Sequence, residues 1–327
     1  MCIRDSDRTV CFASSQSTDL VFDVSGYTTG SSALIPLGPT RIYDSRNEAE
    51  PRCERGIRFN VGGTMDIVDL NNGLVTATAT GVTAVNGPFT SAGGNLSKNC
   101  ERLYVASTNG SFSPVRLSFS GAVLSSLPGS FANMFATDDG LVSVSVTPGM
   151  FGGSTVHVVD TGEVLFELPP IRDVQGAPVY RKMIGATADG SLLAISRPSA
   201  PGVPDAPQLI EYFDVFGDEL GSWTAPSGAM NFSLSPAGTY LSYRLGNTWI
   251  VISIDGTYIA TMPTDSPTVS LQGLPPAAKG WISDGSILVC ARNLYGTEQR
   301  AMRWDLFSPL KLLVPSNPNM PCVDDAS

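Results

Sequence analysis

Residues that could carry out catalysis are few in this chain, and their surroundings do not assemble a reaction centre. The one histidine, His157, lies in the alternating segment 155–160, where a catalytic base would need a nucleophile and an orienting carboxylate from elsewhere. The sequence contains no Gly-x-Ser-x-Gly elbow, and one histidine without histidine-rich spacing does not form a transition-metal site. We therefore expect His157 to be a structural strand residue, and we expect no metal and no cofactor.

Paired carboxylates could support glycoside hydrolysis. The candidates share a turn-like setting, beside glycine or beside one another: Asp138, Asp139, Asp214, Asp218 and Asp284. Aspartate is favoured in turns because its side chain accepts hydrogen bonds from its own backbone. The sialidase-type spacing Ser-x-Asp-x-Gly-x-Thr-Trp is absent around Asp284, and no Asp-x-Asp-x-Asp-Gly calcium loop is present. We therefore predict turn roles for these aspartates.

Three residues are better candidates for ligand binding. Phe151 and Tyr295 lie in long glycine-containing insertions, where an aromatic side chain has no obvious core to fill, and Arg197 begins a third insertion. An aromatic ring beside an arginine suits a sugar or a peptide. Local packing within the loops is the alternative interpretation. The four tryptophans, at 223, 249, 281 and 304, lie in or beside strand-like segments, and we expect them to pack in the core.

The elements that must position these residues recur along the chain. Each copy begins with a turn that ends on a small residue, and these anchors are Cys53, Cys100, Gly140, Gly190, Gly238 and Gly285. A second marker follows each anchor, at Gly73, Gly121, Gly162, Gly217, Gly256 and Pro309. Glycine fits a hairpin turn that requires positive φ. Such spacing, about 40–50 residues, is typical of propellers and solenoids.

The segments between the markers alternate or run apolar over short stretches, as in 155–159, 209–215 and 249–254, and no segment shows helical periodicity. This pattern predicts that each copy forms a four-stranded antiparallel unit. About six such units could close into a ring. The predicted copies span 50–80, 94–128, 131–168, 182–225, 229–262 and 279–315. The innermost strand of the first copy is expected around residues 41–45. The insertions at 148–154, 197–207 and 293–300 are expected on one rim.

Two motifs of the fifth copy identify a family resemblance. The run Ser235-Pro236-Ala237-Gly238-Thr239-Tyr240-Leu241-Ser242-Tyr243 and the downstream Ile254-Asp255-Gly256 hairpin resemble TolB/WD-type β-propeller repeats. The resemblance spans about 265 residues and implies an all-β propeller over residues 46–316, with a tail at 317–327. The Trp-Asp signature itself is absent as a repeat.

The N-terminal residues form a separate piece. Residues 19–27 (DLVFDVSGY) and 39–46 (PTRIYDSR) are similar to a module of secreted actinobacterial surface proteins, from which this chain departs at Thr28 and Ser45. We interpret residues 7–45 as a fragment of that module, which implies export, and we expect Cys11 to be unpaired. Residues 1–6 resemble translated sequencing-adapter sequence, so we expect them to be non-native and the signal peptide to have been lost by truncation.

The composition limits the kinds of partner that this protein can bind. The chain has 327 residues, 15% charged residues and a formal net charge of −10, which excludes the basic footprint of a nucleic-acid-binding protein and disfavours anionic membranes. No run of 18 apolar residues is present, so we expect no membrane insertion. Cys290 and Cys322 could join the tail to the last copy in a disulfide or remain isolated thiols. An oxidising compartment fits the composition best.

These observations favour an exported, non-enzymatic β-propeller that binds or scaffolds at the surface of an actinobacterium-like cell, as a monomeric domain whose partner is a protein, a peptide or a glycan. The alternative is an extracellular glycan hydrolase or lyase that uses carboxylates at the axial mouth of the propeller. A purely structural element of a larger surface protein is a third interpretation. Carboxylates from several copies converging in the central funnel would favour the hydrolase.

Overall fold

The structure is a computed structural model that divides into two compact units, Met1–Arg52 and Cys53–Ser327, and each is described by itself. In the first unit it describes the backbone of four strands. In the second unit it describes residues 54–60, 62–83, 96–107, 113–127, 134–138, 144–148, 153–203, 206–267, 270–293, 298–318 and 320–326. All regular secondary structure in these ranges is β-strand, so the all-β prediction is confirmed.

The first unit contains two antiparallel hairpins. Strand β1 (Cys2–Asp5) pairs with β2 (Arg8–Cys11), and β3 (Val21–Thr28) pairs with β4 (Leu34–Asp44). The motif residues of the predicted secreted module therefore lie largely in one hairpin. The side chain of Cys11 lies outside the described part of the chain. The origin of this unit in a surface-protein module stays a prediction.

The second unit contains six four-stranded antiparallel sheets, which we call blades 1 to 6. Blade 1 contains β5 (Arg55–Asn60), β6 (Thr64–Asp69), β7 (Leu74–Thr80) and β30 (Asp325–Ala326). Blade 2 contains β8 (Val82–Thr83), β9 (Tyr104–Ser107), β10 (Ser113–Leu117) and β11 (Val123–Ser126). Blade 3 contains β12 (Met134–Phe135), β13 (Val144–Pro148), β14 (Ser154–Val158) and β15 (Val164–Leu168).

Blade 4 contains β18 (Lys182–Ala186), β19 (Leu193–Pro198), β20 (Gln208–Phe213) and β21 (Glu219–Thr224). Blade 5 contains β22 (Ala229–Leu234), β23 (Tyr240–Leu245), β24 (Thr248–Ser253) and β25 (Tyr258–Thr261). Blade 6 contains β26 (Pro276–Ser283), β27 (Ser286–Arg292), β28 (Gln299–Asp305) and β29 (Lys311–Leu312). A small hairpin of β16 (Ile171–Arg172) and β17 (Pro178–Val179) separates blades 3 and 4.

Five blades are built from consecutive strands, whereas blade 1 is composite. Its strand order is β30-β5-β6-β7, so the last residues of the chain supply the first-strand position beside β5. Sequence analysis placed this strand around residues 41–45, of which residues 41–44 belong to β4 of the other unit. The segment interpreted as a tail therefore contributes to the sheet, because Asp325 pairs with Ile57 and Ala326 with Gly56.

Contacts between neighbouring blades close the ring. First strands touch from blade 3 to blade 4, from 4 to 5, from 5 to 6 and from β26 to β30, while β6 touches β8. Blades 2 and 3 meet through a buried cluster that contains Tyr104, Leu127, Met134 and Val159. Since alternate residues of each strand face a neighbouring blade, these contacts bury both faces of the central strands. The predicted β-propeller fold is confirmed.

A belt of hydrogen bonds joins the turns between the first and second strands of successive blades. Each bond links one anchor turn to the next: Asn99 N–H to Asp138 Oδ1 (2.9 Å), Asp138 N–H to Ala188 O (2.6 Å), Ala188 N–H to Pro236 O (2.6 Å) and Ala237 N–H to Asp284 Oδ1 (2.8 Å). The repeated turns found in the sequence therefore contact one another in space. They define one edge of the ring, the turn rim, which also carries the turns between third and fourth strands.

The C-terminal segment is fastened to both blades that it joins. Cys322 forms a disulfide with Cys290 of β27, with 5.3 Å between the Cα atoms. The Asp324 carboxylate accepts a hydrogen bond from Phe59 N–H of blade 1 at 2.9 Å and pairs with Lys279 Nζ of blade 6 at 3.2 Å. Of the two alternatives left open by the sequence, the disulfide is the observed one. Cys100 is also disulfide-bonded.

Blade 1 holds a buried carboxylate whose interactions predict an effect of pH. Asp66 is buried, yet hydrogen bonds from Asn60, Arg58 and Thr78 outweigh that burial and lower the pKa of its carboxyl group. A lowered pKa in the folded state stabilises the protein above the usual aspartate pKa of about 4, and this contribution is lost as the pH falls through the lower value.

Asp66→Asn is therefore expected to lower the free energy of unfolding by about 1–3 kcal/mol at neutral pH, because the charged acceptor for Arg58 is removed. Thermal unfolding measured from neutral pH to about pH 3 should show the gap between the variant and the wild type narrowing. Asp218→Asn, at an exposed turn, is the control and should differ little from the wild type at any pH. A gap that widens in acid would contradict the assignment.

Candidate functional site

The central channel is nearly closed near the turn rim. Residues of blades 2 to 6 surround a cavity of about 40 Å³, and Lys98 of blade 2 reaches across to donate a hydrogen bond from Nζ to Trp281 O of blade 6 at 2.6 Å. The charged side chains described on the first strands are Lys182 and Lys279. Burial lowers the pKa of Lys182, and Lys279 is paired with Asp324. In the described part of the ring, carboxylates from several blades do not converge on this channel.

The aspartates singled out from the sequence have structural partners where they are described. Asp138 and Asp284 accept backbone hydrogen bonds in the belt of the turn rim. Asp214 accepts hydrogen bonds from the N–H groups of Phe216 and Asp218, at 2.8 and 2.9 Å, within its own turn. Asp139 lies outside the described residues. The turn interpretation therefore accounts for Asp138, Asp214 and Asp284.

His157 and the tryptophans also lie where the sequence placed them. His157 is in β14 with Nδ1 3.4 Å from Gly162 O, across the turn of its own hairpin. Trp249, Trp281 and Trp304 are buried in the core between blades 5 and 6, and Trp223 packs against the core between blades 4 and 5. Their packing role is confirmed.

The opposite edge of the ring, the loop rim, carries the connections between second and third strands and those between blades. Strands β13, β19 and β27 end on this rim, which is where the three long insertions were expected. Phe151 and Tyr295 are outside the described residues, so their roles stay predictions. Arg197 is described near the end of β19.

Arg197 belongs to a buried charge cluster that sequence analysis missed. Its Nε lies 2.9 Å from Oε1 of Glu211 in β20, and Arg181 Nε lies 3.6 Å from Oε2 of the same carboxylate. The side chains of Arg181 and Glu211 are only 5% and 8% exposed. Burial lowers the pKa of Arg181, which also faces Arg197. Two guanidinium groups share one carboxylate, so the cluster keeps a net positive charge.

A larger cavity opens on the loop rim between blades 5 and 6. Its volume is about 1000 Å³, and its apolar floor includes the buried side chains of Trp249, Met262 and Leu274. The turn between β23 and β24, the connection from blade 5 to blade 6 and the end of β27 form its walls. A volume of this size accommodates a sugar or a short peptide segment.

Two arginines set the charge of this cavity. Arg244 lies in β23 and Arg292 ends β27, and both line the cavity, whereas its described lining contains no carboxylate. Neither arginine has an ion-pair partner within the described residues, and Arg244 Nε is buried without a hydrogen-bond partner. The nearest polar contact of Arg244 is Nη2 to Met230 Sδ at 3.0 Å. Guanidinium groups without partners suit carboxylate or sulfate oxygens.

Sequence reasoning missed both arginines, although one signal could have found them. Arg197, Arg244 and Arg292 all occupy one of the last two positions of a second strand, where the chain reaches the loop rim. The ligand contacts predicted from the sequence lie in or beside the insertions, whereas Arg244 and Arg292 lie at strand ends.

The closed ring of antiparallel blades defines a β-propeller domain. No protein-family model and no curated protein matches this chain. Among solved structures it is similar to a TolB protein from Agrobacterium tumefaciens, with 14% identity, a TM-score of 0.44, and coverage of 69% of this chain and 81% of that one.

Two further solved structures are similar. BamB from Moraxella catarrhalis has 11% identity and a TM-score of 0.41, over 88% of this chain and 100% of that one. The β-propeller domain of Cps50 (Swd1) from Myceliophteria thermophila has 12% identity and a TM-score of 0.43, over 77% of this chain and 80% of that one. At these identities no ligand or partner carries over to this chain.

Within the described residues, no group of three or more His, Cys, Asp or Glu side chains is arranged to hold a metal ion. The same residues contain no helix with the length and apolar character needed to cross a bilayer.

Proposed function

We propose that this protein is an exported, non-enzymatic β-propeller that binds a carboxylate-bearing ligand on its loop rim, at the surface of the cell. The observation that carries the proposal is the pair of arginines without ion-pair partners, Arg244 and Arg292, in a cavity of about 1000 Å³. A chain with a net charge of −10 would gain stability by pairing these two cations with its own carboxylates. Their availability therefore favours a ligand that supplies the anion.

The chemistry of the cavity supports binding rather than turnover. Trp249, Met262 and Leu274 offer an apolar floor for a sugar ring or an aliphatic chain, and Asn247, Thr248 and Thr264 offer polar contacts at the mouth. A glycosidase would need two carboxylates on opposite sides of a bond. Since the described lining contains none, the hydrolase alternative has no supporting observation there. Phe151, Arg197 and Tyr295 are proposed to extend the binding surface along the same rim.

Export is supported by cysteine usage. The described cysteines are disulfide-bonded, and disulfides persist in oxidising compartments outside the cytosol. An acidic surface of low charge density also suits a protein that works outside the cell. The ligand is therefore proposed to be an acidic glycan or an acidic peptide of the cell envelope or its surroundings.

The test is a screen of uronic-acid glycans, neutral glycans and acidic peptides, followed by titration calorimetry. Arg244→Ala and Arg292→Ala should each weaken binding of an acidic ligand about tenfold or more, because a charge-assisted hydrogen bond contributes about 1.5–3 kcal/mol. Arg172→Ala, at an exposed arginine of β16, is the matched control and should bind as the wild type does. Equal binding of neutral and acidic ligands, or binding by the double arginine variant, would overturn the proposal.

A further inference from the structure

The turn between the third and fourth strands of blade 6 departs from the repeat. In blades 4 and 5 the corresponding glycines lie against the preceding blade, so that a Cβ atom would stand 2.7 Å from Phe166 at Gly217 and 2.4 Å from Trp223 at Gly256. Blade 6 has Phe307, Ser308 and Pro309 in this turn. A groove of about 640 Å³ lies between this turn and β25 of blade 5, on the outer surface of the ring.

Phe307 is held in an unfavourable arrangement. Its φ is +65°, in the left-handed region that disfavours a bulky side chain, and the residue is 78% exposed. Tyr258 across the groove is 62% exposed. An exposed aromatic pair combined with local backbone strain is typical of a surface that is completed by a partner.

The groove has the negative charge and the open strand edge that a basic, extended peptide requires. Asp265 lines it and has no ion-pair partner among the described residues, and the described lining contains no lysine or arginine. Aromatic faces attract ammonium and guanidinium groups. Strand β25 pairs only with β24 within the described sheet, so its outer edge is open to an added strand.

We propose that this groove binds an extended peptide segment of a partner protein, with an arginine or lysine side chain between Tyr258 and Phe307 and close to Asp265. The site is separate from the cavity on the loop rim and differs from it in charge: the rim cavity suits an anion, and this groove suits a cation. The peptide backbone lies along the open edge of β25, and Trp304, which is 1% exposed, forms the base of the groove.

The test uses a short capped peptide of alternating threonine and valine with one central arginine, and a matched peptide with neutral citrulline in its place. Titration with the full chain should give measurable binding of the arginine peptide, weaker at high salt, and at least about fivefold weaker binding of the citrulline peptide. Phe307→Gly should weaken binding by a similar factor. Glycine is favoured at positive φ, so the melting temperature should be kept or raised, and unfolding would not explain the loss.

The matched control is Phe216→Ala, since Phe216 is 81% exposed in the corresponding turn of blade 4 but does not line the groove. It should bind the arginine peptide as the wild type does, and so should the Arg244→Ala/Arg292→Ala variant, which separates this site from the loop rim. Absence of binding to the wild type, equal affinity for the two peptides, or an equal loss in Phe216→Ala would each overturn the proposal.

Discussion

A chain that lacks residues 320–327 is expected to have a propeller that is barely stable at physiological temperature and that no longer unfolds cooperatively. Truncation removes β30 from blade 1, Asp324 from Phe59 and Lys279, and Cys322 from its disulfide. The disulfide contributes about 2–4 kcal/mol, and each buried apolar side chain about 1.5–3 kcal/mol. Since Met320 and Val323 are both buried, the total approaches the whole stability of an ordinary domain.

Calorimetry of the truncated chain should show a broad transition at a much lower temperature. The matched variant Cys290→Ala/Cys322→Ala keeps β30 in place, and we expect it to lose only about 2–4 kcal/mol and to unfold in one transition. An unchanged melting temperature after truncation would mean that the ring does not depend on its composite blade.

Gly256→Val is expected to lower the free energy of unfolding by about 3–5 kcal/mol. Two costs combine at this position. The φ of Gly256 is +91°, which a β-branched residue disfavours strongly, and a Cβ atom there would stand 2.4 Å from Cδ1 and Nε1 of Trp223 in the preceding blade. Chemical denaturation of the variant and the wild type measures the sum.

Gly246→Val separates the two costs. Gly246 has a φ of +59°, but a Cβ atom built on it meets no atom within 4 Å. Backbone strain alone should therefore cost about 1–3 kcal/mol there. The difference between the two variants is the cost of displacing Trp223 from the neighbouring blade. Equal costs would show that blades 4 and 5 do not depend on this close approach.

The fold could be predicted from the sequence because the repeated marker residues share one backbone conformation. The anchors Cys100, Gly190 and Gly238 all have positive φ, between 58° and 75°, and the glycines between third and fourth strands do as well. The predicted copies at 182–225 and 229–262 accordingly coincide with blades 4 and 5, which span Lys182–Thr224 and Ala229–Thr261.

A further signal was present in four of the six copies but was not used in the prediction. A serine or threonine stands three residues before the anchor, at Ser97, Thr137, Thr187 and Ser235. In three of these copies its hydroxyl accepts a hydrogen bond from the N–H group five residues later. The observed pairs are Ser97 with Arg102, Thr187 with Leu192, and Ser235 with Tyr240. This hydroxyl satisfies a buried N–H group at the start of the second strand. Including it would have sharpened the register of the repeat.

The composite blade was beyond such reasoning for a physical reason. Strand β30 has two residues, too few for any apolar period, and its partner β5 lies at the far end of the unit. The site was incompletely predicted for a related reason. Arg197 was identified, but its partner Glu211 lies within an apolar run that reads as a simple core strand, and pairing across strands is decided by register.

The composite blade also fixes when the propeller can finish folding. Phe59 and Asp324, which close the ring, are 265 residues apart along the chain, so nearly all of the domain must be synthesised before they can meet. Bringing such distant segments together is entropically costly and slow. Until then β5 presents an unpaired edge, and an unpaired edge recruits strands from other chains. A newly synthesised molecule would therefore depend on the Cys290–Cys322 disulfide, whose partners are only 32 residues apart, to hold β30 near its position before the ring closes.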